Sequence, residues 1–242
     1  MDIAQEGGGA RRIVAVHGIQ GTRAVWRPLA QAMRDEATFV LPNLRGRGAA
    51  TRGSQAADYS LEAFASDLAQ AVDAYTQGEP YCLVGWSMGV TVSLAALPLL
   101  SHRPDRLALM SGSPALCALQ WFRAREGAAL KAEIAAREAR LKLADAADHD
   151  AVAWTWQAIR DTDQRGVLEN VDMPTLIVHG AADDESPVEH AHWLLEGLPR
   201  ARLDIIAGAG HGIPTTHTAE VAAAMRRFLS PDFPHGADLA TR

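Results

Sequence analysis

Ser87, Asp183 and His211 have the residue types that together perform nucleophilic attack on a carbonyl, and each stands in a suggestive local context. Ser87 is the centre of Gly85-Trp86-Ser87-Met88-Gly89, between an apolar run at 81–84 and a helical pattern from 87 to 100. A G-x-S-x-G segment between a strand and a helix is the setting of a nucleophile elbow. The chain must turn abruptly there, and glycines at both flanks let segments pass without Cβ clashes. The turn exposes the serine oxygen and aims a helix N-terminus at the reacting centre.

A serine hydroxyl is a weak nucleophile and needs a base, which in turn needs an orienting group. The candidate base is His211, in Gly208-Ala209-Gly210-His211-Gly212, just after the apolar run 203–206. The candidate acid is Asp183, in Gly180-Ala181-Ala182-Asp183-Asp184-Glu185-Ser186-Pro187 after the run 175–178, with Asp184 as the runner-up. Asp184 and Glu185 otherwise read as a solvated turn. His190 and His192 fall on a helical segment and read as a solvated face, while His179 adjoins the acid. A tetrahedral intermediate needs backbone donors. The Met88 amide supplies one, and the loop His17-Gly18-Ile19-Gln20-Gly21 the other, through Ile19 with Gln20 as the alternative. His17 reads as ordering this loop by hydrogen bonding.

The elements that must hold these residues alternate along the chain. Apolar runs at 13–16, 38–41, 81–84, 107–110, 175–178 and 203–206 read as strands. Helical spacing appears at 26–36, 60–75, 87–100, 188–195 and 219–229. Over 60–75, Leu61, Phe64, Leu68 and Val72 form one stripe behind an N-cap at Ser60. This alternation predicts an α/β fold with a mostly parallel sheet of about six or seven strands, helices on both faces, and chemistry at the strand C-terminal ends. Only residues near 2–5 remain for an edge strand. The stretch 113–169 breaks the rhythm, with a charged helical run over 126–147 and an aromatic patch at Trp154 and Trp156. The expected organisation is a core of 1–112 and 170–230, a helical cap over 113–169, and a flexible tail over 231–242.

Composition sets the outer limits. The 242 residues are 48% hydrophobic and 21% charged, which excludes a disordered or collagen-like chain. A net charge of −6 speaks against nucleic acid as a partner. The two cysteines, Cys82 and Cys117, form no metal-binding pattern, so no metal is expected. The first residues lack the apolar stretch of a secretory leader, and no segment approaches the ~20 apolar residues of a membrane span. A cytoplasmic protein without a membrane partner is the expectation.

The sequence resembles the α/β-hydrolase superfamily. The matching pieces are His17-Gly18, Asn43-Leu44-Arg45-Gly46-Arg47-Gly48, Gly85 to Gly89, Gly180 to Asp183, and Gly210-His211, in the order Ser, Asp, His that those enzymes share. Within the superfamily it is similar to small carboxylesterases of the pimeloyl-ACP methyl ester esterase and enol-lactone hydrolase type. They share a bulky residue before the nucleophile and a helical cap. The resemblance implies hydrolysis of a small-molecule ester or lactone with no cofactor. Where members often carry Asp-x-x-Gly-His-Gly-x-Ser, this chain has Asn43, Arg47 and Ala50 at the Asp, His and Ser positions. Candidate pocket walls are Trp86, Leu116, Trp121, Phe122, Trp154 and Trp156; for the four cap aromatics the alternative is packing between cap helices.

The leading expectation is therefore a serine hydrolase forming an acyl-enzyme on Ser87. A thioesterase, an acyltransferase or a carbon–carbon bond hydrolase would use the same three residues. An epoxide hydrolase or haloalkane dehalogenase is disfavoured, because those enzymes place Asp where this chain has Ser87. A non-catalytic receptor on the same fold is the alternative from another class.

Overall fold

Alternating burial along the short apolar runs builds the centre of the molecule. The computed structural model describes residues 2–143 and 145–231. In β2 (Arg11–Val16), Val14 and Val16 join one buried cluster, and Ile13 and Ala15 join another. The same division separates Tyr81 and Leu83 from Cys82 and Val84 in β4 (Tyr81–Trp86). A strand whose two faces are both buried needs a layer of helices on each side.

The other strands are β1 (Asp2–Gly7), β3 (Ala37–Asn43), β5 (Arg106–Met110), β6 (Thr175–Gly180) and β7 (Ala201–Ile206). They form a single seven-stranded sheet in the order β1-β3-β2-β4-β5-β6-β7. All neighbours are parallel except β1, which pairs antiparallel with β3 from Asp2 opposite Asn43 to Gly7 opposite Thr38. The edge strand thus uses Asp2–Gly7, although this segment carries little apolar alternation; its backbone ladder, with Asp2 bonded to Asn43 and Arg23, holds it.

On one face lie α1 (Arg27–Ala32) and α8 (Thr218–Leu229), which contribute Leu29, Ala30, Val221, Met225 and Phe228 to the cluster around Ile13. On the other lie α2 (Leu61–Thr76), α3 (Met88–Ala96) and α6 (Glu189–Gly197). Helix α2 begins where Ser60 Oγ accepts from the Ala63 N–H at 3.2 Å and ends at Gln77, whose φ of 52° cannot continue a right-handed helix. The four-residue α7 (Ile213–Thr216) follows the loop that carries His211.

Between β5 and β6 the regular elements are all helical, chiefly α4 (Gly127–Leu141) and α5 (His149–Ile159). The helical run expected to reach residue 147 stops at Leu141, because Lys142 takes a left-handed conformation with φ 48°. The residues after it turn back to the core: Ala146 forms an antiparallel bridge with Gly21, and Asp145 accepts from Thr22 Oγ1 at 2.7 Å. The aromatic patch belongs to α5, whose N-cap Asp148 accepts from the Ala151 N–H at 3.0 Å. Of the tail expected from 231 onward, everything after Pro231 lies outside the described residues.

Candidate active site

Four parallel strands deliver their C-terminal ends to one place. Strand β4 ends at Trp86, and α3 begins at Met88, so Ser87 alone makes the turn, with φ 57° and ψ −123°. That backbone is strained for a residue with a side chain, and it is held by packing. A Cβ on Gly85 would lie 2.5 Å from the Gly89 carbonyl oxygen, and one on Gly89 would lie 2.2 Å from that of Val16. Only glycine permits so close a passage of α3 against β4 and β2. The Ser87 N–H is tied to the Met110 carbonyl at 2.9 Å, which anchors the elbow to β5.

The loops after β6 and β7 bring the other two residues to this serine. His211 Nε2 lies 2.8 Å from Ser87 Oγ, and His211 Nδ1 lies 3.0 Å from both carboxylate oxygens of Asp183. Asp183 Oδ1 also accepts from the backbone N–H groups of Glu185, at 3.0 Å, and Ser186, at 2.9 Å. Burial would raise the Asp183 carboxyl, but the hydrogen bond and charge of His211 and the Ser186 N–H outweigh it and hold it below the usual range. An ionised carboxylate at Nδ1 keeps the ring proton there and leaves Nε2 free to accept from Ser87. Asp184, the runner-up, is largely exposed and lies beside Arg140, Nη1 to Oδ2 at 3.7 Å.

Trp86 holds the histidine from a third side. Its indole N–H donates to the His211 carbonyl at 2.9 Å, and its ring centre stands 5.2 Å from the imidazole. The loop after β2 closes the site: a Cβ on Gly18 would lie 3.1 Å from Ser87 Cβ. His17 is fully buried in this loop. Its Nε2 accepts from the Leu44 N–H at 3.0 Å, so its proton sits on Nδ1, which donates to the Gly18 carbonyl at 2.8 Å. Burial, with the nearby Arg47 charge, pushes this imidazole down to about 3.

Sequence reasoning missed a buried polar network next to Asp183 in the loop after β6. Glu185, expected in a solvated turn, is buried and paired with two arginines of α4. Arg137 Nε donates to its Oε2 at 2.7 Å, and Arg140 contacts Oε1. Arg137 Nη1 also donates to Gln20 Oε1 at 2.5 Å, and Gln20 Nε2 donates to the Ile134 carbonyl at 2.9 Å. Helix α4 is therefore fastened to both the loop after β2 and the loop bearing Asp183. His190 is likewise buried rather than solvated, 2.6 Å from Ser113 Oγ through its Nδ1. His179 Nε2 donates to the Ser186 carbonyl at 2.7 Å, which braces the acid loop.

The expected pocket residues divide. Trp121 donates its indole N–H to the Glu185 carbonyl at 2.8 Å and packs on Trp156 at 5.4 Å between ring centres. Phe122 and Trp156, 5.7 Å apart, line a cavity of about 310 Å³ together with Leu119, Arg123 and Arg160, and none of Ser87, Asp183 and His211 lines it. Leu116 is buried near the start of this segment, whereas Trp154 stacks on Tyr59 at 5.7 Å. Among the described residues, no group of three or more His, Cys, Asp or Glu is placed to hold a metal ion, and no helix is long and apolar enough to cross a membrane.

Comparison with known proteins agrees with this architecture. Residues 11–129 match the family model described as the alpha/beta hydrolase fold. A hydrolase from Pseudomonas aeruginosa PA01 superimposes with a TM-score of 0.80 at 23% identity, covering 94% of this chain and 93% of that one. The chain has the α/β-hydrolase fold. Among curated relatives, the pimeloyl-acyl-carrier-protein methyl ester esterase of Aliivibrio salmonicida is 24% identical over 91% of this chain and 92% of its own length. The polyketide synthase ThaQ of Burkholderia thailandensis is 28% identical over 92% of this chain, which spans only 12% of that synthase.

Proposed function

We propose that this α/β-hydrolase cleaves a carboxylic ester or lactone through an acyl-enzyme on Ser87. The observation that carries the reading is the unbroken hydrogen-bonded line from Ser87 Oγ through His211 to Asp183, with spacings of 2.8 and 3.0 Å, on a strained elbow. Ser87 Oγ attacks the substrate carbonyl while His211 Nε2 takes its proton. The Met88 N–H and the Ile19 or Gln20 N–H hold the oxyanion. His211 then gives the proton to the departing alkoxide, and the acyl group stays on Ser87. A water enters, loses a proton to Nε2 and attacks the acyl carbonyl, so that the acid leaves and Ser87 recovers its proton. Asp183 keeps the imidazole oriented and stabilises its charged form. The segment 113–169, read as a cap on the core of 1–112 and 170–230, is tied to the loop after β2 through Arg137 and Ala147 and sets substrate choice through its buried side chains Leu116, Trp121, Phe122 and Trp156.

The relatives support a carbonyl substrate and favour one refinement. The Aliivibrio relative is named for a methyl ester carried on an acyl-carrier protein, and the other is a polyketide synthase. A carrier-borne acyl ester or thioester is therefore the second reading, with the same attack on a more activated carbonyl. The test is turnover of p-nitrophenyl esters of increasing chain length, lactones and acyl thioesters by the wild type and Ser87→Ala. The substituted protein is expected to lose of the order of 10⁶ in rate. Near-wild-type hydrolysis by Ser87→Ala would reject the mechanism.

A further inference from the structure

Arg47 is a fully buried cation whose hydrogen-bond partners are all neutral oxygens. Its Nη1 donates to the Arg45 carbonyl at 2.8 Å and to Thr155 Oγ1 at 3.0 Å, and its Nη2 donates to the Ile19 carbonyl. Its Nε is buried without a hydrogen-bond partner, and the Phe64 ring lies 5.7 Å from the guanidinium carbon. Burial pushes this guanidinium down to about 10, so it remains charged at neutral pH. Removing such a charge from water costs several kcal/mol. An apolar side chain of similar volume would fill the space without that cost, so packing does not explain the charge.

The position of its partners does. The Ile19 carbonyl and the Gln20 N–H belong to one planar trans peptide and point in opposite directions. A donor that fixes the carbonyl therefore aims the N–H. The peptides on either side are held in the same way. His17 Nδ1 holds the Gly18 carbonyl at 2.8 Å, which aims the Ile19 N–H, and the Ala147 N–H holds the Gln20 carbonyl at 2.9 Å. Three successive carbonyls of the loop beside Ser87 are thus tethered, the first by His17 of the loop itself and the other two by Arg47 and Ala147 from distant parts of the chain. Arg47 supplies the middle tether and, through Thr155, joins the loop to α5.

We infer that Arg47 is a positioning residue for the oxyanion site: it holds the Ile19–Gln20 peptide so that the loop presents its N–H donors to the carbonyl attacked by Ser87, and it couples that loop to α5. The inference rests on the serine-hydrolase reading above. A fixed positive charge behind the loop also favours negative charge developing in front of it. Lysine cannot reproduce the function, because one ammonium on a flexible stem does not span three acceptors as a planar fork does.

The test compares wild type, Arg47→Met and Arg47→Lys by kcat and KM on a p-nitrophenyl ester, by inhibition with a trifluoromethyl ketone, and by thermal melting. The ketone forms a tetrahedral oxyanion on a serine nucleophile and so reports the donors directly. Losing one oxyanion donor outright costs roughly 10²–10³ in kcat, so a mis-aimed one is expected to cost roughly 10- to 100-fold. KM should stay within about twofold, and ketone affinity should fall by the same factor as kcat/KM. Should Arg47→Met not fold, Arg47→Lys keeps the charge and carries the comparison. Wild-type kcat and ketone affinity in a folded variant, or a loss confined to KM or to melting temperature, would overturn the inference. A wild type that neither turns over esters nor binds the ketone would instead refute the serine-hydrolase reading, and this inference with it.

Discussion

The buried His17 makes acid stability a direct probe of the loop beside Ser87. In the fold its imidazole is neutral, pushed down to about 3 by burial, whereas in an unfolded chain it takes its ordinary value of 6.5. Between these values the unfolded chain binds one proton that the native chain does not. The stabilisation is therefore complete above the unfolded value and is lost as pH falls from 6.5 toward 3. The limiting slope is about 1.4 kcal/mol per pH unit, and integration between about pH 7.5 and 5 gives about 2 kcal/mol. His179 and His190 are also held below their usual range by burial and add pH dependence of the same sign. The His17 share must therefore be read as a difference. His17→Gln keeps one donor and one acceptor but does not titrate. Urea unfolding followed by tryptophan fluorescence, at several pH values in this range, should show the wild type losing about 2 kcal/mol more than the variant. Parallel pH profiles would refute both the buried neutral imidazole and its two hydrogen bonds.

Two other perturbations address the site and its cover. Asp183→Asn leaves the shape of the acid loop but removes the charge that fixes the His211 tautomer; kcat on an ester should fall by roughly 10⁴ with KM little changed. Truncating Glu185 strands the buried Arg137 charge and should cost about 3–5 kcal/mol in urea unfolding, truncating Arg137 should cost less because Arg140 still pairs with Glu185, and replacing both Arg137 and Glu185 by apolar residues should recover much of the loss.

How much of this was legible in the sequence followed from how local each constraint is. The strands at 81–84 and 175–178 could be read because short, largely apolar runs that start after Pro80 and Pro174 and soon reach Gly85 and Gly180 leave few other structures, and Ser87 and Asp183 then fall just past the strand ends by counting. The edge strand Asp2–Gly7 shows no such pattern, since its pairing rests on backbone ladder bonds and on Asp2 meeting Arg23 and Asn43. Glu185 looked like its neighbour Asp184 because three adjacent carboxylates are equivalent in sequence. What separates them is Arg137, 48 residues upstream, whose approach depends on where α4 lands. His190 was misjudged for a similar reason, as a helical face gives no sign that Ser113 waits beneath it. Arg47 stood out only as a departure from a motif. Its tie to Ile19 required the loop after β2 and the turn after β3 to meet, which no local pattern encodes.

The central claim, that Ser87 is an activated nucleophile, is tested most directly by covalent labelling. Wild-type protein treated with a fluorophosphonate, digested and mapped by mass spectrometry should carry one phosphonyl group on the peptide containing Ser87, and His211→Gln should label far more slowly. A wild-type protein that stays unlabelled, or that labels at another residue, would contradict the account.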